Sequence, residues 1–148
     1  MKRKLLFLLV LIIPFLQGCN STDDLQSLLV GKTWRLSSFY DSDGEVIPYD
    51  GAAELLQNNP ESFVIKFNEN TFSGKALNKT FSGTWKGDGN TNTFSFYIDK
   101  TGGSDSEKIA IDFFNAIKDV GSYRNADENN LELKFSEGSK FMRFYVKK

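Results

Sequence analysis

Any chemistry this chain performs must do without histidine, since none of its 148 residues is one. Imidazole bases, histidine-ligated metals and the ordinary serine triad are thereby excluded. No Gly-x-Ser-x-Gly elbow is present, and no Gly-rich loop ends in Lys-Ser or Lys-Thr to cradle a phosphate. Carboxylates are plentiful, but Asp41, Asp43, Glu69, Asp88, Asp127 and Glu128 fall where turns are expected. Glycoside hydrolysis needs two acids facing one another across a cleft, which that placement does not offer. Two acidic runs come near to a calcium loop, whose oxygen ligands stand at positions 1, 3, 5, 9 and 12 with Gly at 6. In Asp41-Ser-Asp43-Gly44-Glu45 the glycine comes too early, and in the better-spaced Asp88, Asn90, Asn92 and Asp99 set Thr93 stands where Gly is needed. Both read as ordinary acidic turns. The expectation is a non-enzyme with no metal and no cofactor.

The lone cysteine, Cys19, points to a different chemistry. Met1-Lys-Arg-Lys4 is a basic start, and Leu5 to Leu16 is apolar except for Pro14. A membrane span needs roughly 20 apolar residues, so this run is too short to be one and reads as a secretory signal peptide. Leu16-Gln17-Gly18-Cys19 resembles a bacterial lipobox, which implies cleavage before Cys19 and its lipidation. Cleavage would remove Lys2, Arg3 and Lys4 from the eighteen basic residues and leave fifteen facing nineteen acidic ones. A balance on the acidic side argues against a nucleic-acid partner. Several acyl chains on one cysteine would anchor firmly. Asn20 does not resemble the Asp that retains lipoproteins at the inner membrane, so an outer-membrane address is expected, facing the periplasm or the cell surface. The organisation that follows is a signal peptide over 1–18, a lipidated tether over 19–27 and a single domain over 28–148.

The elements of that domain are mostly strands. Lys32 to Tyr40 sets Trp34, Leu36 and Ser38 on one face, and Phe63, Ile65 and Phe67 alternate with Val64, Lys66 and Asn68. Thr71-Phe-Ser-Gly74 returns as Thr80-Phe-Ser-Gly83 and is echoed at Thr93-Phe-Ser95, which reads as similar hairpin strands. Trp85 shares a face with Phe81 and Gly83, either as core or as a cavity wall. Between 107 and 119 the period changes: Ile109, Ala110, Phe113, Phe114 and Ile117 form one helical stripe, with Ser104 or Ser106 available as cap. A weaker helical stretch covers 51–58. Further strands are expected over 120–124, 131–135 and 140–146. About eight strands and one inserted helix predict a mainly β fold, a small antiparallel barrel or strongly curved sheet with the helix closing one end.

The order of motifs resembles the META domain, also called HslJ-like. Leu29-Val-Gly31-Lys-Thr-Trp34-Arg-Leu36 stands for the first strand, followed by Phe72-Ser-Gly74, Asn78 and Gly83-Thr-Trp85. Glu107 through Ile117, Val120-Gly-Ser-Tyr123, Leu131-Glu-Leu133 and Met142-Arg-Phe144 complete the series. Ala76-Leu77-Asn78 and Thr101-Gly-Gly-Ser104 depart from the family's cysteine-bearing segments. Lipocalin-like barrels are a neighbouring resemblance, also opening with Gly and Trp on the first strand. That likeness implies an Arg from a late strand packed on the first-strand Trp, here Arg143 on Trp34, as a barrel-closing or ligand-binding pair. The META resemblance implies a lipoprotein-associated barrel and brings no catalytic residue.

Location and shape then set the functional expectation. The leading reading is a lipid-anchored envelope module acting through contact with another envelope protein, or in envelope maintenance. The alternative is a lipocalin-like carrier with a small apolar or amphipathic ligand inside the barrel, for which Trp34, Trp85 and Arg143 are the candidate residues. Glycan recognition ranks lower, as only Tyr40 and Tyr49 lie near loops.

Overall fold

The computed structural model describes residues 21–148, with side chains from Asp24 onward. The signal-peptide and lipidation expectations, Cys19 included, lie outside the described residues. Eight antiparallel strands, each paired with its sequence neighbour, close into a barrel. They are β1 (Thr33–Tyr40), β2 (Val64–Phe67), β3 (Thr71–Lys75), β4 (Thr80–Asp88), β5 (Thr93–Gly102), β6 (Val120–Arg124), β7 (Asn130–Phe135) and β8 (Phe141–Val146). Closure comes from β8 returning to β1, with Trp34 opposite Val146 and Leu36 opposite Phe144. The thinnest seam is β5 to β6, which pair at Thr93 and Ser122.

Three helices cover the ends. α1 (Ser21–Leu29) caps the end where β1 begins, and α2 (Ala52–Asn58) and α3 (Lys108–Lys118) sit at the other. The 107–119 stripe is therefore borne out as α3, burying Ile109, Ala110, Phe113, Ala116 and Ile117. Neither Ser104 nor Ser106 caps it: Glu107 occupies the N-cap and its side chain makes no capping bond. Asp105, between the two serines, instead accepts from the backbone N–H groups of Asn78 (2.6 Å) and Lys79 (3.2 Å), tying the β3–β4 turn to the segment before α3. α2 starts from Gly51, whose φ of 69° suits a residue without Cβ.

Two expectations need correction. The stretch read as a polar tether to 27 is helical from Ser21, and Leu25 and Leu29 are buried in the core. Gly87 on β4 makes room for it, since a Cβ there would come within 2.4 Å of Leu25 Cδ2. The alternation read along β1 also slips. Pairing with β8 shifts between Leu36 and Ser38, so Phe39 points inward opposite Met142 and Ser38 pairs with Arg143 outside. An extra residue in one strand has that effect, and it cannot be seen in a strand read without its partner.

The barrel interior is filled by rings. Phe67 meets Trp85 edge-on at 5.3 Å and lies 6.0 Å from Phe94 and from Phe96. At the other end Phe113 of α3 reaches Phe63, Phe81 and Phe144 at 5.7 to 6.2 Å. Edge-on and tilted pairs of this kind add to the area they bury.

Candidate functional site

Trp34 and Trp85 are both buried in the interior. The Trp34 indole N–H donates to the Leu29 carbonyl at 3.3 Å, closing α1 over the barrel end. The Trp85 N–H donates to the Asn68 carbonyl at 2.9 Å, while its ring stacks on Phe94 at 5.4 Å. Each thus satisfies its polar atom within the fold, as a buried indole must. Arg143 is not brought to Trp34. Met142 and Phe144 take the inward positions of β8, so the period of two places Arg143 on the outer wall.

There Arg143 joins a cluster around Glu132, a carboxylate that is 3% exposed. Arg143 donates to Glu132 Oε1 through Nε (2.9 Å) and Nη2 (2.7 Å), and to the Tyr40 hydroxyl through Nη1 (3.1 Å). Arg124 Nε (2.6 Å) and Asn125 Nδ2 (2.9 Å) donate to Oε2. Burial pushes the Glu132 carboxyl up, but the bonds from Arg143, Arg124 and Asn125 together outweigh it and hold the group below the ordinary 4.5.

Beside α3 lies a groove of about 450 Å³. Three segments far apart in sequence build it. Phe39 stands one residue before the end of β1, and the following loop folds back so that Ile47 N–H donates to the Phe39 carbonyl at 2.9 Å. That return lays Ile47 and Tyr49 over the barrel mouth, and Tyr49 packs on Phe39 at 5.3 Å. α3 and its C-cap supply Lys108, Asp112, Asn115, Ala116 and Asp119, which helical spacing places on one stripe, and Phe135 and Lys140 come from the β7–β8 hairpin. The floor is apolar, and the rim carries both signs of charge. Pockets of this size and character hold small ligands or a partner's side chain.

Tyr49 is fixed by its hydroxyl, which donates to Asp112 Oδ2 at 2.9 Å. Lys108 reaches the same oxygen at 2.5 Å and lies over the Tyr49 ring at 5.5 Å. Burial, and then the hydrogen bond to Asp112 and its charge, hold the phenol well above the ordinary tyrosine range. Tyr49 is therefore a donor at neutral pH and not a base. Among the described residues no group of three or more metal-ligating side chains converges, and Asp41 Oδ1 is used within its own turn by the N–H groups of Asp43 and Glu45. The reading of residues alone missed this groove. Its signal was present in Ile47-Pro48-Tyr49, an apolar interruption of an acidic loop, and in the polar stripe Lys108, Asp112, Asn115 and Asp119 beside the apolar one.

Comparison with known proteins revises the family. A family described as "Domain of unknown function (DUF4847)" matches residues 20–146. A crystal structure of a DUF4847 family protein from Bacteroides vulgatus ATCC 8482 aligns with a TM-score of 0.63 at 22% identity, covering 82% of this chain and 96% of that one. The NMR structure of a protein from Burkholderia xenovorans aligns at 0.56 and 15% identity, covering 84% and 87%. At these identities the solved structures share the fold. The comparison with curated proteins returns no match. These findings overturn the META resemblance. Its motifs were short apolar and glycine pieces, such as Trp34 with Leu36 and Gly83 with Trp85, that packing a small barrel demands of unrelated sequences. The eight-stranded barrel itself fits the lipocalin-like alternative.

Proposed function

We propose for this chain, which belongs to the DUF4847 family, a non-enzymatic role as a lipid-anchored envelope module that receives a partner protein in the groove beside α3. The observation carrying this reading is the contrast between an interior occupied by packed rings and an open groove of about 450 Å³ at the mouth. A carrier needs room inside the barrel; a docking module needs an apolar recess with a polar rim. The groove offers the latter, with Phe39, Ile47, Ala116 and Phe135 below and Lys108, Asp112, Asp119 and Lys140 around. An apolar anchor residue entering such a recess, with polar groups excluding water around it, is the usual source of binding energy. A small amphipathic ligand in the same groove is the second reading, favoured by its volume.

Anchoring through Cys19 is supported by the basic start, the apolar run and Leu16-Gln17-Gly18-Cys19. The address proposed is the outer membrane. Cys19→Ala should move the protein from the membrane to the soluble fraction, and unchanged membrane association would defeat the anchor. For the groove, a photocrosslinker at Asn115 in intact cells should give one adduct that is lost when Ala116→Trp fills the recess. An adduct that survives Ala116→Trp, or one formed equally from exposed Tyr97 on the wall, would reject the groove as the docking site.

A further inference from the structure

The Glu132 cluster holds more positive charge than its carboxylate can use. Arg124 and Arg143 both bind Glu132, so one buried anion faces two cations. Arg124 spends its Nε there, and its two terminal nitrogens have no hydrogen-bond partner among the described residues. Its side chain is 44% exposed and that of Arg143 42%. Lys134 stands two residues along β7 on the same outer face, opposite Phe141, and is likewise without an ion-pair partner among the described residues. Three bases against one acid leave a local charge of about +2 on a patch of wall.

The two guanidiniums are also held in place. Arg124 lies over the Phe141 ring at 4.1 Å, and Arg143 over Tyr40 at 4.5 Å. Those two rings stack on each other at 4.8 Å with 3° between their planes. Asn125, which completes the carboxylate's bonds, takes a φ of 48°, a left-handed conformation that Asn tolerates better than most residues. Ordering a long arginine side chain is a main cost of using it, and here the fold has met that cost already. A group that needed only to neutralise Glu132 would require one arginine.

We infer that Arg124, Arg143 and Lys134 form an oxyanion site on the outer wall that takes a phosphate group. Phosphate matches the patch in charge, and its several oxygens match the two terminal nitrogens of Arg124, with Arg143 adding the one N–H that remains on each of Nη1 and Nη2 after its bonds to Tyr40 and Glu132. The same chemistry occurs in free phosphate and in a phospholipid headgroup.

The test is a titration of the full chain in neutral detergent with inorganic phosphate, followed through the arginine Nε–H signals by NMR, with sodium chloride at matched ionic strength as control. A saturable shift of the Arg124 and Arg143 signals, absent with chloride, is expected at millimolar phosphate, corresponding to about −4 kcal/mol. Arg124→Lys keeps the charge but removes the fork, and should weaken the affinity about tenfold. Lys134→Gln, which leaves the Glu132 bonds intact, should weaken it by a smaller factor. Identical shifts on doping the micelles with phosphatidate would assign the site to a lipid headgroup; shifts with inorganic phosphate alone would assign it to free phosphate. Shifts that do not saturate, or that chloride reproduces, would overturn the inference.

Discussion

Phe67 and Phe39 are both inward-facing phenylalanines on barrel strands, and their surroundings differ sharply. Phe67 has the rings of Trp85, Phe94 and Phe96 within 6.0 Å. Phe39, at the last turn of β1, has the tilted ring of Tyr49 at 5.3 Å and then the groove. The chemistry of the two side chains is the same, so the difference is geometric. Strands that converge around a point deliver side chains from several directions and can fill it. At the mouth the strands end, and one helix and one returning loop supply the cover. Two elements can shield Phe39 from water, and it is 3% exposed, but they leave a recess between them.

Truncation should separate the two regions. Phe67→Ala should cost about 4 kcal/mol, because a ring enclosed on all sides leaves a cavity its neighbours cannot close. Urea unfolding measures it, and a loss under about 1 kcal/mol would mean the interior is loose and the contrast false. Phe39→Ala should cost less, about 3 kcal/mol, since the loop and α3 can settle into the space.

On the wall, Glu132→Gln should cost about 2 kcal/mol at neutral pH by weakening its bonds to Arg124 and Arg143. Because the folded pKa lies below the unfolded one, that stabilisation is present above about pH 4.5 and is lost as pH falls through the folded value. The wild-type chain should therefore approach the Glu132→Gln variant in stability on acidification; a constant gap between them would contradict the assignment.

At the groove, Tyr49→Phe should cost about 1 kcal/mol, the worth of one partly buried hydrogen bond. Tyr49 is raised on folding, so its contribution is complete below the unfolded value near 10 and declines as pH rises above it. Thermal unfolding should show a steeper alkaline loss for wild type than for Tyr49→Phe. Smallest of all, Lys140→Ala should change stability by no more than about 0.5 kcal/mol, being an exposed rim residue. It should nevertheless weaken whatever the groove receives, and an effect on folding with none on binding would invert the distinction between floor and rim.

Local periodicity made most of the fold legible. Ile65 and Phe67 read as β2, and Ile109 to Ile117 as α3, because each pattern needs only its own segment. What depended on a partner strand was invisible: the shift at Leu36 and Ser38 that turned Phe39 inward arises from pairing with β8. The alternation of Leu131 and Leu133 carries Glu132 to the outer wall, where its burial comes from the arginines that cover it. The same limit separated Trp34 from Arg143, since membership of a late strand does not say which face a residue takes. The groove was least legible, as its three segments meet only through the closed barrel.

The docking of α1 has a mechanical consequence. Leu25 and Leu29 fix this nine-residue helix, about 14 Å long, into the end of the barrel, and Gln26 bonds its side-chain amide to the Glu69 carbonyl at 3.2 Å. A helix seated in this way transmits torque, whereas a coil of equal length would absorb it. A tether joined to Ser21, such as the anchor proposed at Cys19, would therefore enter at the α1 end of the barrel and leave the groove beside α3 at the opposite end aimed away from it.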